Sequence, residues 1–176
     1  MSTDIEVERG DERRETDLDG SEHYDRRAAI ADRRQGHNRQ YATFYLDGHY
    51  LGVEVENVQE VFTAKEMTPV PLSSPMIAGL INLRGQIIIT IDLRRRLGFQ
   101  DRPPEDEVMS IVVRTMDGPV NLLVDRIGDV IEVRPDLFEP PPQTLEAQLG
   151  EAIEGVYKLE GQLLLALSTE LASEVG

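Results

Sequence analysis

The 176-residue chain contains no cysteine and no tryptophan. Without thiols there is no disulfide framework, no thiolate metal site and no cysteine nucleophile. A thiol-free chain fits a reducing compartment. Histidine is nearly as scarce, with only His23, His37 and His49, and the first two lie in a charged N-terminal stretch. Zinc sites of the usual nitrogen and sulfur ligands cannot be assembled from these. A histidine-dependent triad would have to use His49 alone, just past a turn, where an exposed strand-edge histidine is the simpler reading.

Lysine is almost missing as well: Lys65 and Lys158 are the only two among 18 basic residues, against 33 acidic ones. The formal net charge is −15 and the sequence pI is about 4.5. Phosphate binding wants a basic face, so nucleic acid and anionic lipid are disfavoured partners. Long apolar runs are absent. Ile87–Ile91 is far too short to span a bilayer, and the N-terminus lacks a basic segment followed by an apolar one. A soluble cytoplasmic protein without direct membrane insertion is expected. No glycine-rich loop has phosphate-binding spacing, since Gly79 and Gly85 are not followed by the Lys-Ser/Thr of a P-loop. Carboxylates abound, but Glu105-Asp-Glu107 reads as a solvated loop. Asp125 and Asp129 read as turn residues at a strand end rather than as paired acids. The expectation is therefore no catalytic residue, no metal and no cofactor.

Composition changes sharply near Gln40. Residues 1–39 are dominated by charge, as in Asp-Glu-Arg-Arg at 11–14 and Tyr-Asp-Arg-Arg at 24–27. They hold too few apolar groups to offset the entropy of ordering. They are read as a disordered tail, with a fleeting helix around Glu22–Arg34, ahead of a folded domain over 40–176.

From Tyr41 the pattern is one of short strands and tight turns. Tyr41–Leu46 and His49–Val53 flank Asp47-Gly48, a strong hairpin signal because a type I′ turn needs positive φ at both central residues. Val108–Met116 and Pro119–Asp125 flank Asp117-Gly118. Val156–Leu159 and Gln162–Leu167 flank Glu160-Gly161. Ile87–Leu93 is a near-continuous β-branched run of the kind buried on both faces. Short helical stretches are expected at Glu54–Phe62, whose second half also suits a strand, and at Ser74–Leu80 with Pro75 at its first position. Others are expected at Asp92–Leu97 ending at Gly98, at Leu145–Leu149 and at Thr169–Ser173. Glu139–Pro142 ends in three prolines and reads as an irregular connector. Close-spaced short strands without long crossover helices predict one or two small barrels, not a parallel sheet.

The most informative segment is Gly79-Leu-Ile-Asn-Leu-Arg-Gly85 followed by Ile91-Asp-Leu-Arg94. It resembles the Gly-x-x-Asn-Leu-Arg-Gly…Asp-Leu-Arg signature of the CheW family of chemotaxis coupling proteins. Upstream, Phe44–Val61 is similar to that family's opening: a hairpin, then Gly52-Val-Glu-Val and Val58-Gln-Glu-Val61. Thr68-Pro-Val-Pro and Pro75…Gly79 match the connecting loop, while Val124-Asp125 and Ile127-Gly-Asp-Val130 match the second half. The resemblance runs from about Gln40 to the C-terminus. One departure is Ile89, where family members often carry proline; a proline would mark an edge or bulge, so isoleucine only smooths the strand.

The resemblance implies a mainly β fold of two interlocked SH3-like five-stranded barrels with a few short helices. It implies no enzyme, but an adaptor. One surface would grip the regulatory domain of a CheA-type histidine kinase, and an apolar groove would take the hairpin tip of a methyl-accepting chemoreceptor, in arrays at the inner face of the membrane. Carried over by motif position, Val58, Glu60 and Gly79 fall near the receptor groove, with Ile127 and Val130 on its other side. Arg84 has two readings: a partner-facing guanidinium, or an internal salt bridge, to Asp92 or Asp125 for example. Glu60 is either functional or a solvated strand-end charge, and Gly79 and Gly85 are most simply backbone requirements. Two other functions are weighed: a CheW-like scaffold in a non-chemotactic pathway such as surface sensing or twitching motility, and a small-barrel nucleic-acid binder. The acidic body and four phenylalanines speak against the second, which needs a basic groove with stacking aromatics.

Overall fold

A computed structural model describes residues 38–175. The expected tail lies outside the described residues up to His37, and its last member, Arg39, is already the first residue of a strand. That strand, β1 (Arg39–Leu46), turns through Asp47 and Gly48 into β2 (His49–Glu54), with Leu46 opposite His49. Both turn residues have positive φ, 49° and 79°, which is the type I′ geometry that Asp-Gly favours.

After a 3-10 turn at Val55–Asn57 come β3 (Val58–Thr63), β4 (Ile77–Leu83) and β5 (Gln86–Asp92). A one-turn helix, α1 (Leu93–Arg96), precedes the hairpin of β6 (Met109–Thr115) and β7 (Gly118–Val124). Then follow β8 (Arg126–Val133), a 3-10 turn at Pro135–Leu137 and the two-residue β9 (Phe138–Glu139). The chain ends with α2 (Ala147–Ala152), β10 (Ile153–Leu159), β11 (Gln162–Leu167) and α3 (Thr169–Ser173).

Strand order gives two sheets, β8-β1-β2-β11-β10-β9 and β3-β6-β7-β5-β4. In the first, both edges belong to one bent segment, because β8 pairs with β1 and its continuation β9 pairs with β10. In the second, the continuation of β3 returns to the far edge, where Thr68 and Leu80 exchange two backbone hydrogen bonds of 2.9 and 2.8 Å. Each sheet is thus a five-stranded barrel closed by a single bent segment. Barrel 2, β3 to β7, is inserted into barrel 1 after β2, which interlocks them. This matches the expected architecture.

The two barrels repeat a sequence. Ile77-Ala-Gly-Leu-Ile-Asn-Leu-Arg-Gly-Gln86 of β4–β5 aligns without a gap on Ile153-Glu-Gly-Val-Tyr-Lys-Leu-Glu-Gly-Gln162 of β10–β11. Even the register shift recurs, between Ile77 and Gly79 and between Ile153 and Gly155. Both second strands run into a capped helix: Asp92 Oδ1 accepts from the Arg94 N–H, and Ser168 Oγ from the Leu171 N–H.

Strand alternation sorts the apolar side chains into three groups. Tyr41, Tyr157, Leu164, Ala166 and Val133 fill barrel 1, with Tyr41 and Tyr157 edge to face at 5.5 Å. Ile81, Ile88 and Val112 fill barrel 2 together with Phe62 and Met67. The largest group lies between the barrels, where Phe44, Leu51, Val53, Leu165 and Leu167 meet Ile91, Ile111, Val113 and Leu122.

Several expectations need correction. Glu54–Phe62 is not a helix, because beyond the 3-10 turn Val58, Glu60 and Phe62 alternate with exposed residues along β3. Ser74–Leu80 is a turn running into β4, so Pro75 stiffens a corner instead of starting a helix. The tip of the β6–β7 hairpin is Met116-Asp117, one residue earlier than expected, since Gly118 at φ +122° already pairs with Thr115. The run Ile87–Leu93 is not buried on both faces: Ile87 and Ile89 are 61% and 44% exposed.

Candidate partner-binding site

The Asn-Leu-Arg-Gly segment forms the tip of the β4–β5 hairpin. Leu83 pairs with Gln86, leaving Arg84 and Gly85 as the turn, at φ +54° and +87°. This is again type I′, with an arginine where glycine, asparagine or aspartate is usual. Asn82 braces it, its Oδ1 accepting from the Gly85 N–H at 2.8 Å. Arg84 then extends into solvent, its side chain 81% exposed, and its Nη2 lies 3.2 Å from Glu60 Oε2 on β3. The expected internal partners Asp92 and Asp125 are taken by other arginines. Arg84 is therefore an exposed residue tied to Glu60 across the rim of barrel 2.

The Asp-Leu-Arg segment builds something different. Leu93 is fully buried between the barrels, while its neighbours enter an ionic clamp. Arg94 grips Asp125 as a fork, with Nε 2.8 Å from Oδ1 and Nη2 2.7 Å from Oδ2, and its Nη1 lies 3.2 Å from Asp47 Oδ1. The Asp47 N–H donates to Asp125 Oδ2 at 2.8 Å. Arg102 bridges Asp92 and Asp125 at 3.2 and 3.3 Å. Burial alone would raise the Asp125 carboxyl, but hydrogen bonds from Arg94 and the Asp47 N–H hold it below the usual carboxylate range. The Arg94 guanidinium is correspondingly pushed up by its bonds to Asp125.

Gly79 sits at φ +151°, and a Cβ there would lie 2.7 Å from the Thr68 carbonyl oxygen. It lets the closing segment reach the edge of barrel 2. Gly155 does the same in barrel 1, where a Cβ would stand 2.6 Å from the Glu139 carbonyl oxygen.

The remaining expected residues lie along the margin of the core between the barrels. Val58 and Ile127 are half-buried and pack against it, as do Ala42 and Val120. Val130 is 61% exposed and stands opposite Ala42, while Ile89 stands opposite Val120. Only the Val55–Asn57 turn separates Glu54, paired with Tyr41, from Val58, paired with Val113. The Ala42–Val130 row of barrel 1 and the Ile89–Val120–Val113 row of barrel 2 therefore flank the same end of the seam. On that side Ile87, Ile89 and Val130 are exposed large aliphatics, with the acidic residues Glu60 on β3 and Asp129 next to Val130 on β8. Ile87 and Ile89 were missed as site residues because an isoleucine run signals burial; period-2 alternation against the more buried Ile88 carried no mark in the sequence.

The opposite end of the seam is more fully covered. Leu163 and Leu165 hold the stations of Ile87 and Ile89 in the repeat, yet Leu165 is buried, and both face Leu145 across a small cleft. The helix α2 buries Leu149 and Ala152 in the seam there. His49 opens β2 at this side and stacks on Phe99 at 4.9 Å. Among the described residues no group of three His, Cys, Asp or Glu is placed to hold a metal ion. No helix among them is long and apolar enough to cross a membrane.

The family model for the CheW-like domain matches residues 40–174. The chain belongs to the CheW-like family. It is 33% identical over 121 residues to the chemotaxis protein CheW of Bacillus subtilis, covering 69% of this chain and 78% of that one. It is 32% identical over 129 residues to CheW of Thermotoga maritima, covering 73% and 83%. Among solved structures, the scaffolding protein TtCheW of Thermoanaerobacter tengcongensis superposes with a TM-score of 0.72 at 28% identity, covering 80% of this chain and 95% of that one. The two-barrel CheW fold and the expected family are thereby shown, and the Asn-Leu-Arg-Gly and Asp-Leu-Arg signatures acquire physical roles: a braced hairpin tip and an ionic clamp.

Proposed function

We propose that this protein is a non-enzymatic adaptor that couples a CheA-type histidine kinase to methyl-accepting chemoreceptors in cytoplasmic arrays at the membrane. The receptor's helical hairpin tip enters the groove lined by Ile87, Ile89, Val130, Ile127 and Val58. The kinase regulatory domain docks on the barrel 2 rim that carries Glu60 and Arg84. Gly79 shapes that rim from within and touches neither partner.

The observation that carries the reading is the contrast between the two ends of the seam. At one end, repeat positions 163 and 165 are sheltered by the chain's own α2 segment. At the other, the equivalent Ile87 and Ile89 are exposed, as is Val130 of barrel 1. Monomers rarely expose clustered large aliphatics without a partner, and a helix laid into an apolar groove is a standard recognition mode.

Calorimetric titration tests both contacts separately. Val130→Asp is expected to abolish binding of a receptor hairpin-tip fragment while leaving binding of the kinase regulatory domain intact. Arg84→Ala is expected to weaken the kinase complex. If the wild-type protein binds neither at high micromolar concentration, the coupling role is wrong and the two-barrel fold serves some other partner.

A further inference from the structure

The ionic clamp and the groove lie at opposite ends of the same strands. From Asp47, β1 runs back to Ala42; from Asp92, β5 runs back to Ile87; from Asp125, β8 runs forward to Val130. Each path is five residues, about 17 Å at ~3.3 Å per residue. The clamp draws members from both barrels. Asp47 belongs to the barrel 1 hairpin, Asp92 and Arg94 to barrel 2, and Asp125 is the single residue at which the chain passes from β7 to β8. The other connection between the barrels is the Val55–Asn57 turn, which has no capping side chain.

Between these ends the barrels touch mainly through apolar side chains, and two polar contacts join barrel 2 to α3: Arg96 Nη2 donates to the Leu171 carbonyl oxygen at 2.6 Å and the Met116 N–H to Glu170 Oε1 at 2.9 Å. Burial of apolar area is non-directional, so it holds the barrels together without fixing the angle at which they meet. A planar guanidinium gripping a carboxylate through two bonds is directional, and the clamp contains two such forks, Arg102 on Asp92 and Arg94 on Asp125. The second reaches the junction between the barrels and is largely sheltered from solvent, with Arg94 and Asp125 side chains 12% and 22% exposed. We infer that the clamp sets the angle between the barrels and thereby the width of the groove at the far end of the seam. Arg94 and Asp125 are then positioning residues for a partner that they do not touch. The inference rests on the groove being the partner site, but the angle can be measured without any partner.

The absence of cysteine makes the test direct. Gln86→Cys and Asp129→Cys, both at exposed positions, place one spin label on each barrel at the groove end. Pulsed electron resonance then reports their distance distribution in three backgrounds: unchanged, Arg94→Lys, which keeps the charge but loses the fork, and Asp125→Asn, which keeps the shape but loses the charge. One narrow distribution is expected for the unchanged clamp, and broader or shifted ones for both variants. Affinity for a receptor hairpin-tip fragment should fall about tenfold, within the usual range of coupling between separate sites. Arg134→Ala, which removes an exposed ion pair outside the clamp, should change neither. Should Arg94→Lys fail to fold, the near-isosteric Asp125→Asn carries the test. A folded variant whose distribution matches the unchanged clamp overturns the inference, even if its affinity falls. A changed distribution with no fragment binding by any version upholds the angle and removes the proposed partner.

Discussion

Gly79 and Gly155 hold the same station in the two barrels, each leaving room for the backbone carbonyl of the segment that closes its barrel, Thr68 for one and Glu139 for the other. A methyl group at either position collides with main chain, which cannot swing aside. Gly79→Ala and Gly155→Ala should each cost about 2–4 kcal/mol, as backbone-strain and overpacking substitutions do. Gly150, inside α2 with 3.8 Å of space to Leu145 Cβ, is the control. Gly150→Ala should stabilise by about 0.4–1 kcal/mol through the unfolded chain. Urea melts at constant m-value decide the matter.

Arg84 is in a backbone conformation that costs a non-glycine residue about 1–2 kcal/mol, and its pair with Glu60 is largely exposed and worth at most about 1 kcal/mol. Arg84→Asn loses the pair but relieves the backbone, since asparagine tolerates positive φ. Its stability should stay within about 0.5 kcal/mol of wild type, the usual range for a surface change, while kinase binding weakens. A loss of stability of several kcal/mol would instead make Arg84 a structural residue.

Much of this was legible in the sequence, for identifiable reasons. Asp47-Gly48 dictates its turn locally, and Thr169–Ser173 announces its own helix through the Ser168 cap. Errors arose where two periods fit one segment: Val55, Val58 and Phe62 lie on a helical stripe, yet Val58, Glu60 and Phe62 also alternate. Ser74-Pro75 carries helix-start chemistry that a corner uses equally well. The partner of Arg84 could not be read, because only barrel closure brings β3 to the β4–β5 tip; nothing in sequence spacing favours Glu60 over Asp92. The repeat of Ile77–Gln86 in Ile153–Gln162 is readable in the sequence and marks both closing glycines.

Inside barrel 2 the amide of Asn121, fully buried, donates to Thr90 Oγ1 at 3.1 Å and Ser110 Oγ at 3.2 Å, while its Oδ1 has no partner. Whichever way the amide is turned, one end is left over. Asn121→Leu alone strands two hydroxyls and should cost about 1–3 kcal/mol. Combining it with Thr90→Val and Ser110→Ala removes the polar groups together and should recover most of that loss. A strongly non-additive triple-mutant cycle is expected; additive costs would mean that the three side chains do not act as a unit.

The depressed Asp125 carboxyl makes the clamp acid-labile. Its folded pKa lies below the unfolded value of about 3.9, so its stabilisation is complete above about pH 5 and disappears as pH falls through the folded pKa. At pH 7, Asp125→Asn should cost about 2–3 kcal/mol, below the full range for breaking a buried pair because the side chain keeps some solvent contact. Going from pH 5 toward pH 2.5, the wild-type protein should lose stability faster than the variant, and the two should converge. Asp101, whose carboxyl is also lowered by its arginine partner Arg95 but lies fully in solvent, provides the comparison: Asp101→Asn should track wild type at every pH. A gap between wild type and Asp125→Asn that stays constant down to pH 2.5 would show that the cost of the substitution is steric, with no contribution from the ionised pair.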